Sequence, residues 1–374
     1  SLQAQGLAGA AAVLTSYATP RRLAAHITGV LPKAADKAVQ IKLMPVAVGL
    51  DQDGNPSGAL LKKLQALGLD ASAAANLKKQ QDGKAEALFL DTVEAGATLA
   101  VGLQKALDEA IAKLPIPKVM TYQLHTGCEL PGWSSVQFVR PVHGLMALHG
   151  SSVVPVSVLG LQAGKSTRGH RFEAMMDELH IIDADHYAKQ LQIEGAVIAS
   201  FAERKAEIAR QLQEAAAQVA KATGMGCQPL QDEALLDEVT ALVERPHVLI
   251  CEFEKEFLAV PQECLILTMK ANQKYFPLLD AQGKLTHQFL VVSNINPADP
   301  SAVVQGNERV IRPRLADAKF FFDQDRKKTL ASRIDGLAKV VYHNKLGTQA
   351  ERSERVRLIA HSIVSQLRMA QVPY

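Results

Sequence analysis

Cysteine, tryptophan and long apolar runs are all scarce in this chain of 374 residues. The four cysteines, Cys128, Cys227, Cys251 and Cys264, form no C-x-x-C pair. That spacing excludes zinc ribbons, thioredoxin-type redox sites and secreted disulfide frameworks, and reads as reduced thiols in a cytoplasmic protein. No apolar run approaches the roughly 18 residues of a spanning helix, so no membrane partner is expected. The apolar opening, Leu7 to Leu14, has no basic residue before Arg21 and fails as a signal peptide. A start at Ser1 without methionine reads as a trimmed chain. Aromatics are 5% of residues with one tryptophan, Trp133, so aromatic recognition surfaces are at most local. The signatures of self-sufficient catalysis are also missing: no G-x-S-x-G, H-E-x-x-H or G-x-G-x-x-G occurs. No catalytic residue and no metal set is therefore assigned. Asp183-x-Asp185-His186 reads as helix capping rather than metal ligation, and His143 and His149 find no third ligand at a suitable spacing.

What is present is an ordinary globular composition, 48% hydrophobic and 21% charged, long enough for two or three domains. Net charge is only +3, but its distribution is uneven. From Leu130 to Phe172 there is no acid, while Arg140, Lys165, Arg168 and Arg171 are basic. Glu173 to Val260 carries 17 acids against 7 bases, and Ser301 to Tyr374 carries 14 bases against 7 acids. Two basic stretches around an acidic one fit either a polyanion-facing side or solvated faces that average out on folding.

Periodicity gives short strands mixed with amphipathic helices, without regular βαβ alternation. Ser57 caps a helix carrying Leu60, Leu61, Leu64 and Leu67 and stopping at Gly68. A second helix runs from Thr98 to Leu114. Gly144–Leu148 and Val153–Leu159 pair about a turn at Gly150-Ser151. Thr121 to Ser135 reads as a loop. Ser200-x-x-Glu203 is a capping box for a helix striped by Ile208, Leu212, Ala215 and Val219, about 35 Å long. Leu235, Leu236, Val239 and Leu242 mark another helix. Strands follow at Val248–Phe253 and, after an Asp280–Gly283 turn, at Gln288–Asn294. Thr348-x-x-Glu351 boxes a terminal helix with Val356, Ile359, Ile363 and Leu367. The predicted class is α+β and multidomain: short-stranded mixed sheets with packed helices and a helical C-terminal portion. The expected bounds are an α+β domain over 1–130, a central one over 131–325 with its long helix near 201–223, and the start of a helical domain over 326–374.

Several stretches carry candidate chemistry. Gly160-x-x-x-Gly164-Lys165-Ser166 ends like a phosphate-binding loop but is one residue short of G-x-x-x-x-G-K-[ST], so nucleotide hydrolysis is disfavoured. Thr167-Arg-Gly-His-Arg-Phe172 offers donors for phosphate oxygens in Arg168, His170 and Arg171, with Phe172 for packing or base stacking. Asn272 to Phe276 suits RNA contact through Gln273 and Lys274, or a capped turn. In Gly306 to Ala318, Arg309, Arg312 and Arg314 either clamp phosphates or pair with Glu308 and Asp317. Phe320-Phe321-Phe322 is expected in the core.

Taken in order, these stretches resemble the β subunit of bacterial heterotetrameric glycyl-tRNA synthetase. The matching segments are Thr19-Pro-Arg-Arg-Leu-Ala24, Lys113-Leu-Pro-Ile-Pro-Lys118, Phe138-Val-Arg-Pro-Val-His143, Thr167 to Phe172, Glu238-Val-Thr-x-Leu-Val-Glu244, Met269-Lys-x-x-Gln-Lys-Tyr-Phe276 and Gly306 to Ala318. The resemblance implies a non-catalytic subunit that binds tRNA(Gly), not DNA, and assembles with a separate α subunit. That α subunit forms glycyl-adenylate using ATP and Mg2+, so no cofactor is expected in this chain. On this reading Arg168, His170, Arg171, Gln273, Lys274, Arg312 and Arg314 are the expected tRNA contacts. The alternative is an assembly module that docks the α subunit without touching tRNA. A family segment of the Gly-Thr-Glu-Glu-Leu-Pro type does not precede Ser1, and the chain stops in the helix after Leu346-Gly-Thr348. It is therefore expected to be a fragment, without HD-like and anticodon-binding regions.

Overall fold

The computed structural model describes residues 1–51, 53–82 and 85–367; residues 52, 83–84 and 368–374 lie outside it. The chain divides into two compact units, Ser1–Phe201 and Ala202–Tyr374.

The first unit is built from small antiparallel sheets. Strands β1 (Leu14–Thr19) and β2 (Arg22–Ile27) form a hairpin. Strand β3 (Lys37–Pro45) pairs with β5 (Ala85–Glu94), which also pairs with β4 (Lys78–Asp82). Between β3 and β4, helix α1 (Gly58–Ala66) starts where Ser57 accepts from the Leu60 amide and buries Leu60 and Leu64 against Leu88. The outer edge of the expected stripe, Leu61 and Leu67, stays exposed. Helix α2 (Leu99–Lys113) follows, then β6 (Met120–Gln123) and β7 (Ser135–Phe138), which pair across the segment read as a loop from sequence. The predicted hairpin at Gly150 exists but is confined to Leu148–His149 and Ser152–Val153. Helix α3 (Tyr187–Ile193) closes the unit, preceded by Asp183, which accepts from the His186 amide at 2.9 Å.

The second unit has a four-stranded antiparallel sheet between two helical layers. Its strands are β8 (Cys227–Pro229), β9 (His247–Glu252), β10 (Phe276–Asp280) and β11 (Leu285–Ser293), in the spatial order β8-β10-β11-β9. Side chains alternate across a strand, so Leu290 faces one layer and Phe289 and Val291 the other. Helices α4 (Phe201–Thr223) and α5 (Glu233–Thr240) supply Ile208, Leu212, Val219, Leu235 and Val239 to the first layer. Helices α6 (Gln262–Thr268) and α7 (Ser301–Arg326) supply Leu265, Ile311 and Leu315 to the second. Each such side chain, fully enclosed, contributes about 1.5–3 kcal/mol. Helix α7 runs through Pro313 without ending.

The α4 stripe begins not with an apolar residue but with Arg204, which is completely buried. Its Nε donates to the Thr240 carbonyl at 3.1 Å; burial holds its pKa below the usual arginine range, and the Glu244 carboxylate offsets part of that. Glu244 is itself 1% exposed, and its amide donates to Asn294 Oδ1 at 2.7 Å.

Two expectations are corrected here. Phe320 and Phe321 are 57% and 64% exposed, because the buried edge of α7 passes through Ile311, Leu315, Ala318 and Phe322. In the terminal helix α8 (Gln349–Gln366) the Thr348–Glu351 box is present, but Val356, Ile359, Ile363 and Leu367 all face solvent.

Glu244→Ala leaves a buried guanidinium unopposed and is expected to cost about 3–5 kcal/mol in urea unfolding, while Arg204→Met/Glu244→Leu recovers most of it. Asp232 caps α5 through the Leu235 amide, and the ammonium of Lys270 holds its carboxyl below the usual 3.8. A lowered pKa stabilises above the unfolded value and loses that effect as pH falls. The stability gap between wild type and Asp232→Asn is therefore expected to be full at pH 7 and to narrow below pH 3.8.

Candidate nucleic-acid interface

In the first unit the segment after Ser166–Thr167 is fixed through its backbone. Arg22 donates its guanidinium to the carbonyls of Arg168 and Gly169. The His170 amide donates to the Gly195 carbonyl at 2.7 Å, and the Met175 amide to the Glu194 carbonyl at 3.0 Å. Gly169 lies so close to Gly195 that a Cβ there would meet the Gly195 carbonyl oxygen at 2.8 Å and the Ala174 Cβ at 2.5 Å. Glycine is the residue that permits this approach.

These inward backbone bonds decide where side chains go. His170 is 3% exposed; its Nδ1 accepts from the Phe172 amide at 3.3 Å. The accepting Nδ1 leaves the proton on Nε2, which has no hydrogen-bond partner among the described residues. The sequence reading put His170 among the phosphate contacts; its ring instead lies beneath the turn, closing the backbone from Gly169 to Phe172. Arg168 and Arg171 project outward and are exposed, with no ion pair or side-chain hydrogen bond among the described residues. Lys165 is tied back by its Nζ to the Ser151 carbonyl at 3.0 Å.

The stretch resembling a phosphate loop takes another form. Ser157–Val158 and Leu161–Gln162 pair as a hairpin whose two turn residues, Leu159 and Gly160, have φ of 54° and 77°. Two consecutive positive φ values make a tight hairpin turn, not an open loop of amides around a phosphate.

In the second unit the motif residues engage one another. Helix α6 runs into a π-turn over Met269–Gln273, ended by Lys274 in the left-handed conformation, φ 59°. Lys274 Nζ pairs with Glu238 at 2.9 Å, and the Tyr275 hydroxyl donates to Asn307 Oδ1 at 2.8 Å. Burial pushes that phenol up to about 12. Glu308 accepts from the Glu252 amide at 3.0 Å, and Arg312 pairs with Glu254, so neither Glu308 nor Asp317 is the partner expected for Arg312. Arg312 lines an open cleft of about 430 Å³ with Glu252, Glu254, Lys255, His287 and Glu308.

Helical geometry separates the remaining bases. Residues two apart on a helix project about 160° from each other. Arg312 and Arg314 therefore flank the Ile311–Leu315 edge on opposite sides and do not close on one phosphate. Arg314 and Gln273 have no side-chain partner among the described residues. Arg309, one turn before Arg312 on the same face, is exposed and equally without one. The seven expected contacts thus fall on both units: Arg168, His170 and Arg171 on the first, and Gln273, Lys274, Arg312 and Arg314 on the second. Among the described residues no group of three or more His, Cys, Asp or Glu is placed to hold a metal, and no helix is long and apolar enough to cross a membrane.

Comparison with known proteins agrees with the family resemblance read from the sequence. Residues 1–373 match the family described as glycyl-tRNA synthetase beta subunit. The chain is 72% identical over 367 residues to the glycine–tRNA ligase beta subunit of Paracidovorax citrulli, covering 98% of this chain and 51% of that protein. Against the beta subunit of Polaromonas naphthalenivorans it is 72% identical over 370 residues, 98% and 52% of the two chains. With that of Leptothrix cholodnii the identity is 70% over 374 residues, 100% and 51%. The chain spans about half the length of the curated relatives it matches. A family match across residues 1–373, with relatives 70–72% identical over nearly the whole chain, makes this chain a member of the glycyl-tRNA synthetase beta subunit family.

Proposed function

We propose that this chain acts in cytoplasmic glycyl-tRNA synthesis as a tRNA-positioning part of the ligase, holding tRNA(Gly) while a separate α subunit in a heterotetramer carries out the ATP- and Mg2+-dependent chemistry. The observation that carries the reading is the pair Arg168 and Arg171: exposed, without acid partners, on a pinned backbone, inside a stretch with no acid from Leu130 to Phe172. A backbone already held in place spares the entropy of ordering the turn when its guanidiniums meet phosphates, and their charge is not consumed internally. Positioning a reactant in this way lowers the entropic part of a barrier without any catalytic group on the positioning chain.

A second reading, assembly without tRNA contact, is favoured by the second unit. There Lys274 and Arg312 already have the acids Glu238 and Glu254. The exposed Phe320 and Phe321 and the solvent-facing stripe of α8 provide apolar surface for a partner.

Binding to tRNA(Gly) across a salt series separates the two. Each lost phosphate contact lowers the log–log slope by about 0.9 on duplex. Arg168→Ala and Arg171→Ala are each expected to reduce affinity and slope, whereas Lys274→Ala and Arg312→Ala change the slope little. No effect from the first two would favour the assembly reading, whereas equal effects from all four would extend the phosphate contacts to the second unit. Gly169→Ala, by displacing the turn, is expected to reduce affinity while leaving every basic residue in place.

A further inference from the structure

The turn that presents Arg168 and Arg171 also carries three apolar side chains that the fold does not cover. Phe172 is 75% exposed, Met175 76% and Met176 53%. Single exposed apolar residues are ordinary, but three within the five residues from Phe172 to Met176 call for an occupant. The turn is not loose: the amides of His170, Ala174 and Met175 are all bonded, to Gly195, His170 and Glu194. The same bonding that buries His170 forces its neighbours outward, and the His170 ring stands 6.3 Å from the Phe172 ring, tilted by 58°.

Resting on the tRNA-binding reading above, we propose that Phe172, with Met175 and Met176, forms a platform that receives an unpaired nucleotide base while Arg168 and Arg171 hold the adjoining phosphates. Charge selects the occupant. An aromatic face beside partner-free guanidiniums is the arrangement that binds single strands, since every base has a stacking face and every linkage an anion. Methionine thioethers are polarizable and adapt to flat surfaces of different outline. Acids begin at Glu173 and continue with Asp177 and Glu178, the last engaged by the Ser166 hydroxyl. The strand therefore approaches from the Arg168–Arg171 side, and a duplex, whose bases are already stacked, gains nothing from the platform.

The test compares a short single-stranded RNA with a blunt RNA duplex of the same length, binding to the full-length subunit. Phe172→Ala is expected to weaken the single strand about tenfold and leave the duplex unchanged. Phe172→Trp should retain single-strand binding, and Arg171→Ala should weaken both ligands. Because Phe172 contributes little to any core, Phe172→Ala is expected to keep the wild-type unfolding midpoint. If wild type binds both RNAs with a salt slope and Phe172→Ala loses neither, the platform is overturned and the tRNA reading stands. If wild type binds neither, both fall. If Phe172→Ala leaves RNA binding intact but weakens assembly with the partner subunit, the turn is a protein-docking knob and the inference fails.

Discussion

A guanidinium sealed from water must be answered by dipoles and charge on all sides, and in the second unit the demand of Arg204 organises much of what surrounds it. Its Nε takes the carbonyl of Thr240 at the end of α5, and the Thr240 hydroxyl in turn closes on Leu236 at 2.6 Å. Glu244 stands four residues on, its amide held by Asn294 just beyond β11. With α5 fixed in rotation, Glu238 meets Lys274, and the turn that carries Lys274 delivers Tyr275 to Asn307 on α7. A sequence of polar contacts thus runs from one helical layer around to the other, through three of the family's motifs. Those motifs, read as lines of text, invite a functional interpretation. In the fold Glu238, Lys274, Tyr275 and Asn307 are occupied with each other, and Lys270 and Arg312 with acids outside the motifs.

Local chemistry was the most legible part of the sequence. Ser57 and Thr348 cap where hydroxyls precede helices, Asp280–Gly283 turns a hairpin, and the strand read at Gln288–Asn294 lies within and just past β11. What stayed hidden depends on long-range neighbours. Arg204 occupies a helical position that looks like a solvated charge, and only the carbonyl of Thr240, 36 residues away, makes it interior. Strand β6 gave no signal because four residues around one turn-rich segment carry no periodicity. Phe320-Phe321-Phe322 reads as core by composition, yet a helix buries one edge, and three consecutive residues cannot share it.

The candidate site followed the same pattern. The bases of Thr167 to Phe172 were visible as donors, but sequence could not tell the outward Arg168 and Arg171 from the buried His170 between them. Gly169 held the clue: a glycine flanked by bulky polar residues marks close backbone approach, and here that approach is to Gly195. Arg312 and Arg314 looked like a pair because they are near in sequence, which is the wrong measure on a helix. Lys274 and Arg312 looked available because their acids, Glu238 and Glu254, are 36 and 58 positions away.

Proline 313 lies within α7 on the side turned away from Ile311 and Leu315. It has no amide to offer the Arg309 carbonyl, so the ladder of helical bonds has a missing rung on its outer side, where bending wraps a helix around its core. Arg312 and Arg314 stand immediately before and after that rung. A helix bends most readily at such a rung, and here a charge stands on either side of it. Any bend there would change the spacing of the two charges about the Ile311–Leu315 edge.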